Sequence, residues 1–218
     1  MPEIESVSID DNVFQLTKTE SGEVFIFVNT PKFTLVPAEY YSKEMRNQYF
    51  DFIQIDYSNE TILENKLPDW NYYILFSLKK DFISSVEKHY PNAEFYHYST
   101  ALASRLIDED NRDTSCILIH KRDEELYLLI SKNNEIVLLN LFNVRSDTDI
   151  IYFVLNSMRE NKISQDSGRL YYSGDINPED NSVLTLKKYL ANIRELPPRK
   201  GDVPDNSLHN YFRFKPIK

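Results

Sequence analysis

Two stretches of this 218-residue chain begin the same run of elements 109 residues apart. In the first, residues 6–9, 13–17 and 24–28 are β-branched and aromatic runs of strand length, separated by the turn-forming clusters Asp10-Asp11-Asn12 and Glu20-Ser21-Gly22. In the second, residues 115–120, 125–130 and 135–142 give three more such runs, divided by Lys121-Arg122-Asp123 and Lys132-Asn133-Asn134. Asparagine tolerates the left-handed backbone that hairpin turns need. A helix is expected from Pro37, with Tyr40, Tyr41, Met45 and Tyr49 at helical spacing, and its counterpart from Ser146, with Ile150, Val154 and Met158 on one side.

Strands and helices continue after each. In the first half, strands are expected at 52–57 and 72–77 around a short helical turn at 61–64. A helix over 79–90, a strand at 94–97 and a helix capped by Ser99 follow. In the second half come a strand at 170–173, a helix from Asn177-Pro178 to about residue 190, and a short strand at 192–196. The order is βββ-α-β-α, given twice. It predicts an α/β chain of two halves, 1–107 and 108–196, joined through the polar run 108–113 with a cleft between them. A tail, 197–218, could add a strand.

Composition limits the chemistry. Only four glycines occur in 218 residues, against a usual ~7%. Loops that wrap phosphate with backbone need several glycines for close approach and positive φ. The single cysteine, Cys116, excludes a disulfide framework and a multi-cysteine zinc site. A formal charge of −9 argues against a nucleic-acid partner. No export signal opens the chain and no apolar run reaches the ~20 residues a bilayer requires. A cytoplasmic location is therefore expected.

Three stretches carry a family likeness: Tyr73-Ile74-Leu75-Phe76-Ser77 with the helix after it, Pro91-Asn92-Ala93-Glu94, and Ser99-Thr100-Ala101-Leu102. They resemble an uncharacterised bacterial family of unknown function with the actin-like ATPase fold, whose two halves are ribonuclease-H-like. The strand–helix–strand–helix run is also similar to pilus-assembly relatives of actin. The resemblance implies ATP and magnesium as cofactors, held by two phosphate loops and an adenosine loop. The first loop falls on Asp10-Asp11-Asn12, with Asp10 at the carboxylate position and Asn12 where the family has glycine. The second falls on His120-Lys121-Arg122-Asp123, with no glycine and a histidine at the carboxylate position. The adenosine loop falls on Gly174-Asp175, keeping one glycine of two. Asp10, Asn12, Gly174 and Asp175 are thus the candidates for holding a nucleotide, and the missing second loop argues against a working ATPase.

Other motifs are weaker. Ser77-Leu78-Lys79-Lys80 has the Ser-x-x-Lys spacing of serine acyl-transferases, without its companion motifs, and reads as a helix cap beside a solvated lysine. His89 and His97 lack a carboxylate motif for metal, and the calcium-like start at Asp108 fails at Asp113 and Ile119. Fifteen tyrosines and thirteen phenylalanines are the compositional excess. Tyrosine suits interfaces, where the ring is buried and the hydroxyl finds a partner. The expected function is a protein-interaction or scaffolding role with a protein partner, its surface built on Tyr40, Tyr41, Trp70 and Tyr72. The alternative is a divergent ATPase or kinase-like enzyme.

Overall fold

The computed structural model describes residues 3–9, 12–18, 24–67, 69–109 and 115–196. The chain divides into two compact units, Met1–Ala101 and Leu102–Lys218. Residues 110–113 of the expected junction, and the tail 197–218, lie outside the described residues.

The first unit opens with the antiparallel meander β1 (Glu3–Ile9), β2 (Asn12–Lys18) and β3 (Val24–Val28). Phe25, Ile26, Phe27 and Val28 are all buried, as expected where both faces of a strand are covered. β7 (Ala93–His97) adds to β3 in parallel, giving the order β1-β2-β3-β7. Between β3 and β7 the chain builds a second, antiparallel sheet in the order β4-β6-β5, from β4 (Phe33–Pro37), β5 (Glu60–Leu67) and β6 (Tyr72–Lys79). The helix α1 (Lys80–His89) then leads into β7.

Three local expectations change here. Residues 61–64 are not a helical turn: they lie inside β5, where β6 offers a full-length antiparallel partner. No α-helix starts at Pro37. Two short 3-10 turns, Ala38–Tyr40 and Arg46–Phe50, take its place. The Tyr49 hydroxyl satisfies backbone that a helix would otherwise pair, donating to the Tyr40 carbonyl and accepting from the Ser42 N–H at 3.0 Å. Residues 52–57 form no strand, because Asp56 starts a tight turn. Its carboxylate takes the Ser58 N–H at 3.1 Å and its carbonyl takes the Glu60 N–H at 2.7 Å.

A buried polar network ties the two sheets of this unit together. Asn65 on β5 accepts from the His97 N–H (2.8 Å) and the Thr100 hydroxyl (2.9 Å), and donates to the Phe95 carbonyl (2.9 Å). His97 donates from Nε2 to the Thr30 carbonyl at 3.0 Å and accepts at Nδ1 from Ser99. Those partners fix one neutral tautomer.

The unit boundary falls inside α2 (Tyr98–Glu109). The second unit has the expected element order. Its meander is β8 (Cys116–Arg122), β9 (Glu125–Lys132) and β10 (Glu135–Asn143). Then come α3 (Asp147–Glu160), β11 (Arg169–Gly174), α4 (Asn181–Leu186) and β12 (Asn192–Glu195). β11 lies parallel to β8 and β12 parallel to β11, for a sheet ordered β10-β9-β8-β11-β12. Asn133 and Asn134 turn between β9 and β10 at φ 53° and 62°, the left-handed pair of a two-residue hairpin. Ser146 and Asp149 form a reciprocal capping box on α3. Ile117, Ile119, Leu128, Val154, Leu170 and Leu186 share one buried core. The first unit does not repeat this strand order, since β7 pairs with β3 and not with β1.

Candidate functional site

The β8–β9 turn stands where the family likeness places a second phosphate loop. Arg122 pairs with Glu125, leaving only Asp123 and Glu124 to turn the chain. Asp123 adopts φ 53°, and its N–H donates to Asp175 Oδ2 at 2.8 Å. The Asp175 N–H donates to the Lys121 carbonyl, also at 2.8 Å. Gly174 holds φ 76°, and a Cβ there would lie 2.0 Å from Lys121 O and 2.9 Å from His120 Cε1. Only glycine allows β11 to approach β8 this closely. His120 is buried with Nδ1 2.9 Å from Ser173 Oγ. Burial pushes its imidazole down to about 4; Arg122 adds to this and Asp175 opposes it.

Gly174 and Asp175 therefore come together with His120 and Asp123: the Asp175 carboxylate takes the Asp123 N–H, and His120 lies beside Ser173. Asn12 opens β2 in register with Ile9, and Asp10 lies outside the described residues. No group of three or more His, Cys, Asp or Glu side chains among the described residues is arranged to hold a metal ion.

The aromatic candidates lie on the segment joining β4 to β5 and on the β5–β6 turn. Tyr41 stacks on Tyr73 at 4.0 Å between ring centres and on Tyr49 at 6.2 Å. Its hydroxyl donates to Glu64, whose carboxylate also meets Arg46 at 3.6 Å. Burial, then the bond to Glu64, pushes the Tyr41 phenol up. Trp70 is only 3% exposed, so it belongs to the interior and cannot form part of an outer surface. Tyr72 is half-buried on β6. Tyr40 is exposed, and the same segment exposes Met45, Phe52 and Tyr57, three residues outside the expected surface set. Phe52 is fully exposed. Ile53 and Ile55 pack inward with Val36, Phe50 and Leu75, so the alternation along 52–55 turns Phe52 outward with Gln54. The segment is pinned as well: the Tyr57 hydroxyl donates to the Asn47 carbonyl at 3.2 Å.

Ser77 has a different partner from the one its motif suggested. Its hydroxyl donates to Glu60 Oε2 at 2.6 Å, while Glu60 Oε1 receives Lys32 Nζ at 2.5 Å. Lys80 reaches instead to the carbonyls of Tyr57 and Ser58, at 2.9 and 3.0 Å. Lys32 and Ser77 hold the Glu60 carboxyl below its ordinary range. An ionised carboxylate of lowered pKa is a poor base, so this group does not activate Ser77 as a nucleophile. It braces the wall of a pocket of about 280 Å³ that Val28, Thr30, Leu78 and Phe82 also line. His89 and His97 keep separate partners: His89 Nδ1 lies 2.9 Å from the Ser85 carbonyl.

The DUF3822 family, described as proteins of unknown function, matches residues 11–193. The chain belongs to the DUF3822 family. A protein of Bacteroides thetaiotaomicron with actin-like ATPase fold and unknown function superposes with a TM-score of 0.74 at 17% identity, covering 88% of this chain and 89% of that one. This DUF3822 protein has the actin-like ATPase fold. A chain of the PilM–PilN type IV pilus biogenesis complex is more distant, with a TM-score of 0.46, 10% identity and coverage of 78% and 68%. No curated protein matches the chain. No helix among the described residues is long and apolar enough to cross a membrane.

Proposed function

We propose that this DUF3822 protein is an interaction module that keeps an actin-like frame and engages a protein partner through residues 38–57, without nucleotide hydrolysis. The observation that carries the reading is the exposure of Tyr40, Met45, Phe52 and Tyr57 on one braced connection. A contiguous exposed apolar patch marks an interaction site, and these four side chains lie within one short segment. A connection already pinned by the Tyr49 and Tyr57 hydroxyls loses less conformational entropy on binding than a loose loop. The β8–β9 turn supports the second half of the reading, because it contains no glycine and the Asp175 carboxylate takes the Asp123 N–H. The two units are taken as diverged copies of one βββ-α-β-α plan, the first enlarged by the β4-β6-β5 sheet. A cytoplasmic location suits a chain with a single cysteine.

Two experiments test this. Affinity capture from the native cell should recover a partner with the wild type and lose it with a Tyr40→Ser/Phe52→Ser variant. Equal recovery with both would overturn the proposed surface. Titration with ATP and magnesium should give no binding. Micromolar binding, with phosphate release lost in Asp10→Ala, would restore the enzyme reading.

A further inference from the structure

The five-stranded sheet of the second unit ends at β10, and this edge differs from the others. β10 is nine residues long, and its only charged side chain is Glu135, at the first position. Exposed edges are normally blunted by shortness, proline or central charges, because unpaired N–H and C=O groups invite another strand. The other edges comply. β4 ends in Pro37, β5 carries Glu60, Glu64 and Lys66, and β12 has Arg194 and Glu195 among four residues. β1 carries Glu3 and Glu5, and β7 has five residues with Glu94 among them.

The backbone of β10 shows which groups are free to pair. Lys132 and Glu135 flank a two-residue turn and so face each other. Beyond the irregularity at Ile136/Leu138, alternation sets 138, 140 and 142 toward β9 and 139, 141 and 143 outward. The Leu141 N–H donates to its neighbour's side chain, Asn140 Oδ1, at 2.9 Å, in place of a carbonyl from a further strand. Apolar groups flank the edge on both faces. On one, Val137 is exposed and Leu139 and Leu141 are half-buried. On the other, Phe142 stacks on Phe153 of α3 at 4.2 Å, and Phe153 meets the exposed Tyr152 at 5.4 Å.

We propose that two copies of this chain join through β10, each strand antiparallel to the other about a two-fold axis, so that the sheet continues across both. The charge pattern selects a second copy as the occupant. Centred on Asn140, the pairing sets Leu139 against Leu141, two residues whose backbone groups both face outward, and it stays clear of the irregularity at Ile136/Leu138. The two glutamates then stand about 34 Å apart at ~3.4 Å per residue, several Debye lengths at physiological salt. No like charges meet, and the self-complementary contact closes as a two-fold interface must.

Sedimentation and light scattering of the full chain at micromolar concentrations test this. The wild type should be a dimer. Leu139→Lys places a cation against the apolar Leu141 of the other copy, twice per dimer, and should weaken association by about tenfold or more. Val137→Lys acts at an exposed position and should do the same with an unchanged circular dichroism spectrum, which separates dissociation from unfolding. Amide exchange at Leu139, Leu141 and Asn143 should slow as concentration rises. A wild-type monomer, a dimer indifferent to both lysines, or edge amides equally protected at every concentration would each overturn the proposal.

Discussion

Lowering the pH from 7 to 5 should destabilise both units through His97 and His120. Burial holds each imidazole at about 4 in the folded protein, against an ordinary value of 6.5. A protonated His97 would have to turn an N–H toward the Ser99 amide while losing its hydration, a cost that the Thr30 carbonyl opposes. Between pH 6.5 and 4 the unfolded chain therefore binds protons that the folded chain refuses. Stability is complete above pH 6.5 and falls as pH drops toward 4. At 1.36 kcal/mol per pH unit, each histidine removes about 2 kcal/mol by pH 5 and about 3 kcal/mol by pH 4. The carboxyls of lowered pKa, such as Glu60, begin to titrate in the unfolded chain only near pH 4.5, so the interval from 6.5 to 5 reports the histidines. Denaturant unfolding at a series of pH values measures this. Asn substitution at both positions should flatten the slope, whatever it does to stability at pH 7. A wild type equally stable at pH 7 and 5, or a doubly substituted chain with the same slope, would show that the two histidines do not carry the acid sensitivity.

Gly174→Ala should lose more than ~2 kcal/mol, because a left-handed φ alone costs an L-residue about 1–2 kcal/mol and the added Cβ strikes the Lys121 carbonyl; thermal unfolding reads it. Ser146→Ala removes the α3 capping box and should cost about 1 kcal/mol in denaturant titration. Asn65→Ala strands the His97 N–H and the Phe95 carbonyl and should cost roughly 2–4 kcal/mol, seen as a lowered melting temperature. Phe52→Ser should leave stability within about 0.5 kcal/mol of wild type, since the ring contacts solvent.

Much of the second unit was legible in its residues. Its strands are β-branched runs, Asn133-Asn134 names its own turn, and Ser146 with Asp149 marks the start of α3. The β4-β6-β5 insertion was harder to read because two signals competed. Tyr40, Tyr41, Met45 and Tyr49 have helical spacing, yet ring stacking on Tyr73 and hydrogen bonds from tyrosine hydroxyls hold the backbone in short turns. The Thr61–Glu64 stretch is too short for its period to distinguish strand from helix, and β6 decides the matter. Among the site candidates, Tyr40 lies on the surface and Trp70 beneath it, a difference that adjoining aromatic clusters do not encode. Phe52 was readable in principle. It alternates with Ile53 and Ile55 and shares its phase with Gln54 and Asp56, the phase of a solvent face. Gly174 is the reverse case, since a glycine that resembles a ligand loop serves close strand packing.

The most direct test of the interaction surface is site-specific photo-crosslinking in the native cell, with the photoreactive residue at position 52 and a control at the exposed Tyr189 of α4's C-terminal flank. Position 52 should give a discrete protein adduct that disappears when Tyr40 and Met45 are changed to serine, and position 189 should give no such adduct. No adduct from position 52, or the same adduct from both positions, would contradict the proposed surface.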